Sequence, residues 1–198
     1  MQDKRRHQRI RFSSPPPIAI GSEGASGAGS IENVSLSGLM LRSDLTLEVG
    51  RRVGCEFSLF GPARIDLTAV VVNRLGNLYG LRFEPGPISR ILISDAMAES
   101  LAEGHASSLS MHEVGGNKVM RIAGGLNGAL QNDVTYSLTR VGVDEMDLSG
   151  VTAVDAAGLD LCLLAQGRYG VRIGRRSACF AKAWHDRLGP TDGVDARI

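Results

Sequence analysis

Pro85-Gly86-Pro87 constrains this chain more than any other feature, because it divides two different kinds of sequence. Its two prolines lack amide donors and have a fixed φ, so neither a central strand nor a helix interior runs through them. Upstream, apolar residues recur with a period of two in short segments. These are Gly38-Leu39-Met40-Leu41, Arg52 to Leu59, the β-branched run Ile65 to Val72, and Tyr79-Gly80-Leu81-Arg82-Phe83. The turn Leu75-Gly76-Asn77-Leu78 separates the last two, and short turn-separated strands of this kind predict a small antiparallel barrel. Ser13-Ser14-Pro15-Pro16-Pro17 reads as an extended connector and Ile18-Ala19-Ile20 as a short strand. Gly21 to Ser30, rich in Gly, Ala and Ser, reads as a flexible loop.

Downstream the period changes. Ile88, Ile91, Leu92 and Ala96 predict one apolar helix face over Ile88 to Ala102, with Asp95 interrupting it and Gly104 as its stop. His105-Ala106-Ser107-Ser108 reads as a linker. Strands are predicted at Lys118 to Ile122, Val143 to Leu148 and Val171 to Gly174, with a turn at Gly124-Gly125-Leu126-Asn127-Gly128. Helices are predicted at Gln131 to Thr139, at Asp155 to Gly167 (Asp155 as N-cap) and at Ala178 to Leu188, where Phe180, Ala183 and Trp184 share one face. Strands alternating with helices define a second, α/β domain.

The chain has 198 residues, 43% hydrophobic and 22% charged, which is the composition of an ordinary globular protein. No apolar run approaches the roughly 20 residues needed to span a bilayer, and no secretory signal opens the chain, so the expected location is cytoplasmic. Cys55, Cys162 and Cys179 are odd in number, far apart and free of any CxxC spacing, and are expected to be buried thiols. Asp144, Glu145 and Asp147 lack the spacing of a calcium loop and are expected to be solvated. The four histidines show no ligand pairing, so no metal or other cofactor is expected. No nucleophile–base–orienter set emerges, which argues against an enzyme.

Charge is concentrated at one end. Residues 1–11 hold Lys4, Arg5, Arg6, Arg9 and Arg11 against Asp3 alone, a charge of +4, which leaves −3 for the rest of a chain whose total is +1. Arginine forks pair with phosphate oxygens and stack on flat bases. Further on, Asn33-Val34-Ser35-Leu36-Ser37-Gly38 sets an amide, a hydroxyl and a turn glycine at fixed offsets, groups that suit a base edge and a phosphate. Each half has a plainer reading. The arginines resemble a solvated basic terminus, and Asn33, Ser35 and Gly38 suffice to shape a turn that leads into a strand.

Together the two halves resemble the PilZ domain, a receptor for cyclic di-GMP whose signature is RxxxR followed by (D/N)xSxxG. Arg5 and Arg9 fill the first half; Asn33, Ser35 and Gly38 fill the second. Tyr79-Gly80-Leu81-Arg82-Phe83 is similar to that family's closing strand. The resemblance implies a six-stranded antiparallel barrel over residues 1–95, with a basic arm at 1–12. It further implies that Arg5 and Arg9 grip guanine faces and phosphates, that Asn33 and Ser35 read base edge and phosphate, that Gly38 permits the turn, and that Arg6 assists. On this view ligand neutralises the arm and orders it over the barrel.

A second resemblance spans about residues 109–190 of a domain at 109–198, beyond a helix end and linker at 96–108. Asp147-Leu148-Ser149-Gly150-Val151 followed by Asp155-Ala156-Ala157-Gly158-Leu159 is similar to the core of a STAS domain, the anti-sigma-factor-antagonist fold. Phosphorylatable members carry a serine after the capping aspartate, and here that place is Ala156. The implied protein is a non-enzymatic adaptor that binds cyclic di-GMP and engages a signalling protein through a non-phosphorylatable STAS-like domain, without nucleic acid. The alternative is an interaction scaffold whose PilZ-like domain binds no nucleotide. Oligomeric state is left open by the sequence.

Overall fold

The computed structural model describes residues 8–22 and 24–189, which fall into two compact units divided between Ser108 and Leu109. Arg5 and Arg6, two of the expected site residues, lie outside the described residues.

The first unit is an antiparallel barrel of six strands: β2 (Pro17–Ser22), β3 (Ala25–Ser35), β4 (Gly38–Ser43), β5 (Arg52–Phe57), β6 (Ile65–Leu75) and β7 (Leu78–Glu84). The ladder runs β3-β2-β5-β6-β7-β4 and closes through β3–β4 pairing, so none of the six is left as a bare edge. A short strand β1 (Ile10–Phe12) pairs with the far end of β3. Alternation puts Ile18 and Ile20, Leu39 and Leu41, Ile65, Leu67 and Ala69, and Tyr79, Leu81 and Phe83 in one buried core. Polar residues and glycines between them face outward, as a pleated wall requires.

Gly21 to Ser30 is not a flexible loop. β2 and β3 pair from Pro17↔Ser30 to Ser22↔Ala25. The small side chains carry little β preference, and the paired backbone overrides them.

Helix α1 (Pro87–Ala102) starts one residue before the predicted Ile88, and its buried face keeps Leu92 and Ala96 of the predicted stripe but not Ile88 and Ile91. Ile93, Ala96 and Ser100 are buried, with Leu92, Met97 and Leu101 packed beside them, whereas Ile88 is 74% and Ile91 60% exposed. The Ser100 hydroxyl donates to the Leu59 carbonyl at 2.9 Å, and that bond belongs to the helix face carrying Ile93. Two adjacent apolar stripes compete on this helix, and only packing selects between them. The expected linker is also ordered. His105 stacks on Phe60 at 4.6 Å, and Ala106 and Ser107, at the start of β8 (Ala106–Val114), pair with Phe12 and Arg11.

In the second unit the strand order is β11-β10-β9-β8, from β9 (Asn117–Leu126), β10 (Glu145–Val154) and β11 (Arg172–Arg176). β10 runs parallel to both β9 and β11. Helices α2 (Gln131–Tyr136), α3 (Ala156–Tyr169) and α4 (Ala178–Leu188) complete the unit, and Met120, Ile122, Met146, Leu148, Leu159, Cys162, Phe180 and Trp184 share its core. Gly124 and Gly125 continue β9 instead of turning. β10 extends past Leu148 to Val154, and a wide π turn over Ser137–Val141 follows α2. Asp155 caps α3 as expected, accepting from the Gly158 amide at 2.7 Å; the helix runs past Gly167 and ends at Gly170, with φ +66°. Cys55 and Cys162 are buried thiols, and burial pushes both up to about 12, with Asp66 adding to the effect at Cys55. Cys179 is exposed, contrary to expectation.

Asp147 corrects another expectation. It is not solvated: its side chain is 2% exposed, and it accepts from the Ser149 amide (3.0 Å) and hydroxyl (2.6 Å), Arg121 (3.1 Å) and Arg175 (2.5 Å). Burial alone would raise its carboxyl; the Ser149 bonds and then the two guanidiniums outweigh that and hold it well below the usual carboxylate range. A carboxyl depressed by folding adds stability that is complete above its ordinary value, 3.8, and is lost as pH falls through the folded value. The second unit's resistance to chemical denaturation should therefore fall as pH drops from about 4 to about 2 in the wild type, with a flatter acid limb in Asp147→Asn.

For α1, Ile93→Ala should cost about 2–5 kcal/mol and lower the barrel's melting midpoint. Ile88→Ser should stay within about 0.5 kcal/mol. Equal effects of the two would reinstate the predicted face.

Candidate functional site

Of the first half of the sequence motif, Arg9 is described, and it lies beside the second half on the outer wall of the barrel. β1 runs antiparallel to β3 with Ile10↔Val34 and Arg11↔Asn33 in register. Ile10 and Phe12 point into the core and Arg11 outward; continuing the register by one residue sets Arg9, which is exposed, opposite Ser35. The pairing of β1 with β3 is thus what carries the base of the arm to the Asn33–Gly38 turn.

That turn is built before any ligand arrives. Ser35 Oγ donates to the Gly38 carbonyl at 3.1 Å and lies 3.2 Å from Ser37 Oγ. The Phe83 amide donates to the Ser37 carbonyl at 3.0 Å, which fastens the turn to β7. Asn33 and Ser35 are almost buried, at 7% and 4% exposure, while Ser37 is exposed. The Ser35 hydroxyl has therefore committed its proton to Gly38 and can offer lone pairs, and the exposed Ser37 hydroxyl is the nearby donor. The turn-shaping role weighed for Asn33, Ser35 and Gly38 is present in full for Ser35 and Gly38.

Gly38 is required by space. A Cβ there would sit 2.0 Å from the Leu81 carbonyl oxygen. The next row of the wall runs Arg11, Asn33, Met40 and Gly80, each in register with the next. At Gly80 a Cβ would lie 2.1 Å from Asn73 Oδ1. β4 thus has no side chain beside the polar turn, and the Asn73 amide covers the place at Gly80. A register shift between Ile31 and Asn33 marks a bulge in β3, and Arg42, which donates to Glu32 (2.9 Å) and Asn77 (3.0 Å), ties down the strands around it.

A small cavity of about 190 Å³ lies beside the turn, lined by Gln8, Leu36, Ser94 and Met97. A larger, shallow depression of about 460 Å³ lies elsewhere, over Gly21, Gly27 and Gly54, with Glu56 and Asp66 among its lining. Carboxylates there suit an anion poorly, whereas the arm end carries a charge of +4 over residues 1–11. Among the described residues, no cluster of His, Cys, Asp or Glu could hold a metal ion. Sequence reasoning passed over Arg82. Its alternation with Leu81 and Phe83 marks it as outward, but its neighbours follow only from the register.

A closed six-stranded barrel with a basic strand laid beside a polar turn defines the class, a small β-barrel domain with an outer wall suited to anions. The domain is a PilZ domain: residues 3–99 match that family. Solved structures of similar fold include the PilZ domain of YcgR from Escherichia coli with c-di-GMP, at 18% identity over 50% of this chain and 95% of that one, TM-score 0.39. The Bacillus subtilis inhibitor of motility, MotI/DgrA, is similar at 16% identity over 50% of this chain and 52% of that one, TM-score 0.40. PlzA of Borreliella burgdorferi in complex with c-di-GMP is similar at 19% identity over 48% of this chain and 41% of that one, TM-score 0.35. The chain spans about half or less of the last two. No curated protein matches it.

Gly38→Ala should cost about 1–3 kcal/mol by overpacking, because the added methyl meets backbone and not a movable side chain. Amide exchange should report it first at the β4–β7 ladder; an unchanged exchange pattern would show that β7 can yield.

Proposed function

We propose that this protein is a cyclic di-GMP receptor that passes ligand binding on to a protein partner. The observation that carries this reading is the β1–β3 register, which brings Arg9 to Ser35 on the barrel's outer wall. A cyclic dinucleotide offers two phosphates and two flat purines. Arg5, Arg6 and Arg9 supply forked, permanently charged donors for both features. Asn33 supplies an orientable amide for a base edge. The exposed Ser37 hydroxyl, beside Ser35, supplies a donor for a phosphate, and Gly38 permits the turn. The match of residues 3–99 to the PilZ domain supports the same ligand class.

The second half of the proposal rests on the resemblance of about residues 109–190 to a STAS domain. Its local geometry supports a docking role without a phosphate switch. Asp155 caps α3, Gly158 approaches Leu126 so closely that a Cβ would lie 2.1 Å from its carbonyl oxygen, and Ala156 and Ala157 are exposed on the first turn. Two small exposed residues at a helix start present a flat surface with no hydroxyl for phosphate transfer.

Calorimetric titration of cyclic di-GMP is the test. Wild type should bind, Arg9→Ala should lose at least tenfold in affinity, and deletion of residues 1–9, which keeps β1 and the buried Ile10, should abolish binding while leaving the barrel's melting transition in place. Undiminished affinity after the deletion would sink the arm's role; absence of binding by the wild type would leave the scaffold reading in its place.

A further inference from the structure

We infer that Arg82, on β7, is an additional guanidinium of the ligand wall, reaching the bound anion from the side opposite the arm; this deepens the cyclic di-GMP reading and rests on it. Gly38 and Arg82 are partners in the β4–β7 ladder, and Gly38 and Ser35 are partners in the β3–β4 ladder. One row across the wall is therefore Arg9, Ser35, Gly38, Arg82. With strands about 4.8 Å apart, Arg82 stands about 10 Å from Ser35 and about 14 Å from Arg9. The row is a polar trough with a guanidinium at each end and a residue without a side chain between them.

Two further observations single Arg82 out. First, the other arginines of the barrel strands are engaged: Arg42 with Glu32 at 2.9 Å, Arg52 with Glu84 at 3.0 Å, and Arg74 with the Gly76 carbonyl at 3.0 Å and over the Tyr79 ring. Arg11 also has an interaction. Arg82 is exposed, and while its backbone is paired with β4 and β6 its side chain makes no hydrogen bond, ion pair or ring contact among the described residues. Even Glu84, two residues along the same outward face, is paired with Arg52 instead. Second, Gly38, which faces Arg82 in one ladder and Ser35 in the other, has no side chain, so none stands on β4 between the guanidinium and the polar turn. The Phe83 amide, next along the chain, holds the Ser37 carbonyl, so Arg82 is fixed relative to the turn by the backbone itself.

The chemistry that follows is a clamp. An anion with charge at two places would meet forks from both ends of the row, and a fork can bind a phosphate or the acceptor edge of a purine in bidentate fashion where an ammonium cannot. An exposed, partnerless arginine contributes little to folding, so its removal leaves stability in place.

The experiment is calorimetric titration of cyclic di-GMP into the full chain, comparing wild type, Arg82→Ala, Arg82→Lys and Arg64→Ala. Arg64 is paired with Glu56 at the β5–β6 side of the barrel and controls for general loss of positive charge. The expected result is a loss of tenfold or more in Arg82→Ala, partial recovery in Arg82→Lys, near wild-type affinity in Arg64→Ala, and unchanged melting midpoints throughout. Arg82→Ala binding within twofold of wild type, or an equal loss in Arg64→Ala, overturns the assignment while leaving the receptor reading standing. A wild type that takes up no ligand overturns both.

Discussion

The first unit depends on one strand doing three jobs. β3 is eleven residues long. Its first half pairs with β2, its other edge pairs with β4 and closes the barrel, and its last residues accept β1. A straight strand cannot follow a closed barrel wall and also offer a free edge at its end. The bulge between Ile31 and Asn33 resolves this by bending β3 and increasing its local twist. Past the bulge, Asn33 and Ser35 lie on the outer face beside β1, and Val34 is fully buried. The polar turn is in this sense the outcome of a closure problem, since the place where β3 bends is the place where polar side chains face outward beside β1.

Much of this was legible in the sequence, and the failures have identifiable physical causes. Residue types at fixed offsets carried the motif, and alternation in Ile65–Val72 and Tyr79–Phe83 carried the barrel, because both are local properties. The Gly21–Ser30 segment was not legible: its side chains are nearly silent on conformation, and its strand character comes from partners far along the chain. The α1 face failed for a different reason. Ile88–Ile91 and Ile93–Ala96 are both plausible stripes, and what separates them is the Leu59 carbonyl waiting for Ser100, forty-one residues away. Asp147 was misjudged because its partners, Arg121 and Arg175, come from neighbouring parallel strands whose registers no sequence period reports. Of the proposed site, Arg9, Asn33, Ser35 and Gly38 were read from the pattern. Arg82 was not, because its significance is a relation across two ladders.

The second unit handles charge differently from the first. On the barrel, ion pairs such as Arg51–Glu48 and Arg52–Glu84 are largely exposed and contribute little individually. In the second unit, Asp147 is withdrawn from water and satisfied from three directions, by the amide and hydroxyl of Ser149 and by two guanidiniums. Removing one partner of such a group leaves charge uncompensated, so the network fixes the mutual placement of β9, β10 and β11 more strictly than an apolar patch would. The same strand, β10, leads through Val154 to Asp155 and the cap of α3. The exposed alanines at that helix start are consequently held by a rigid support on one side and a satisfied cap on the other.

At Gly38 the Leu81 carbonyl occupies the place a Cβ would take, and at Gly80 the Asn73 amide does. The floor of the wall there is β7 backbone and one amide, and strand geometry fixes it. Whatever discrimination the proposed site has therefore rests with the side chains around that floor, those of Asn33, Ser37 and the flanking arginines. A change among them leaves the floor in place, whereas a side chain at Gly38 would meet backbone that cannot step aside. The wall thus separates the part of the molecule that is free to vary from the part that is not.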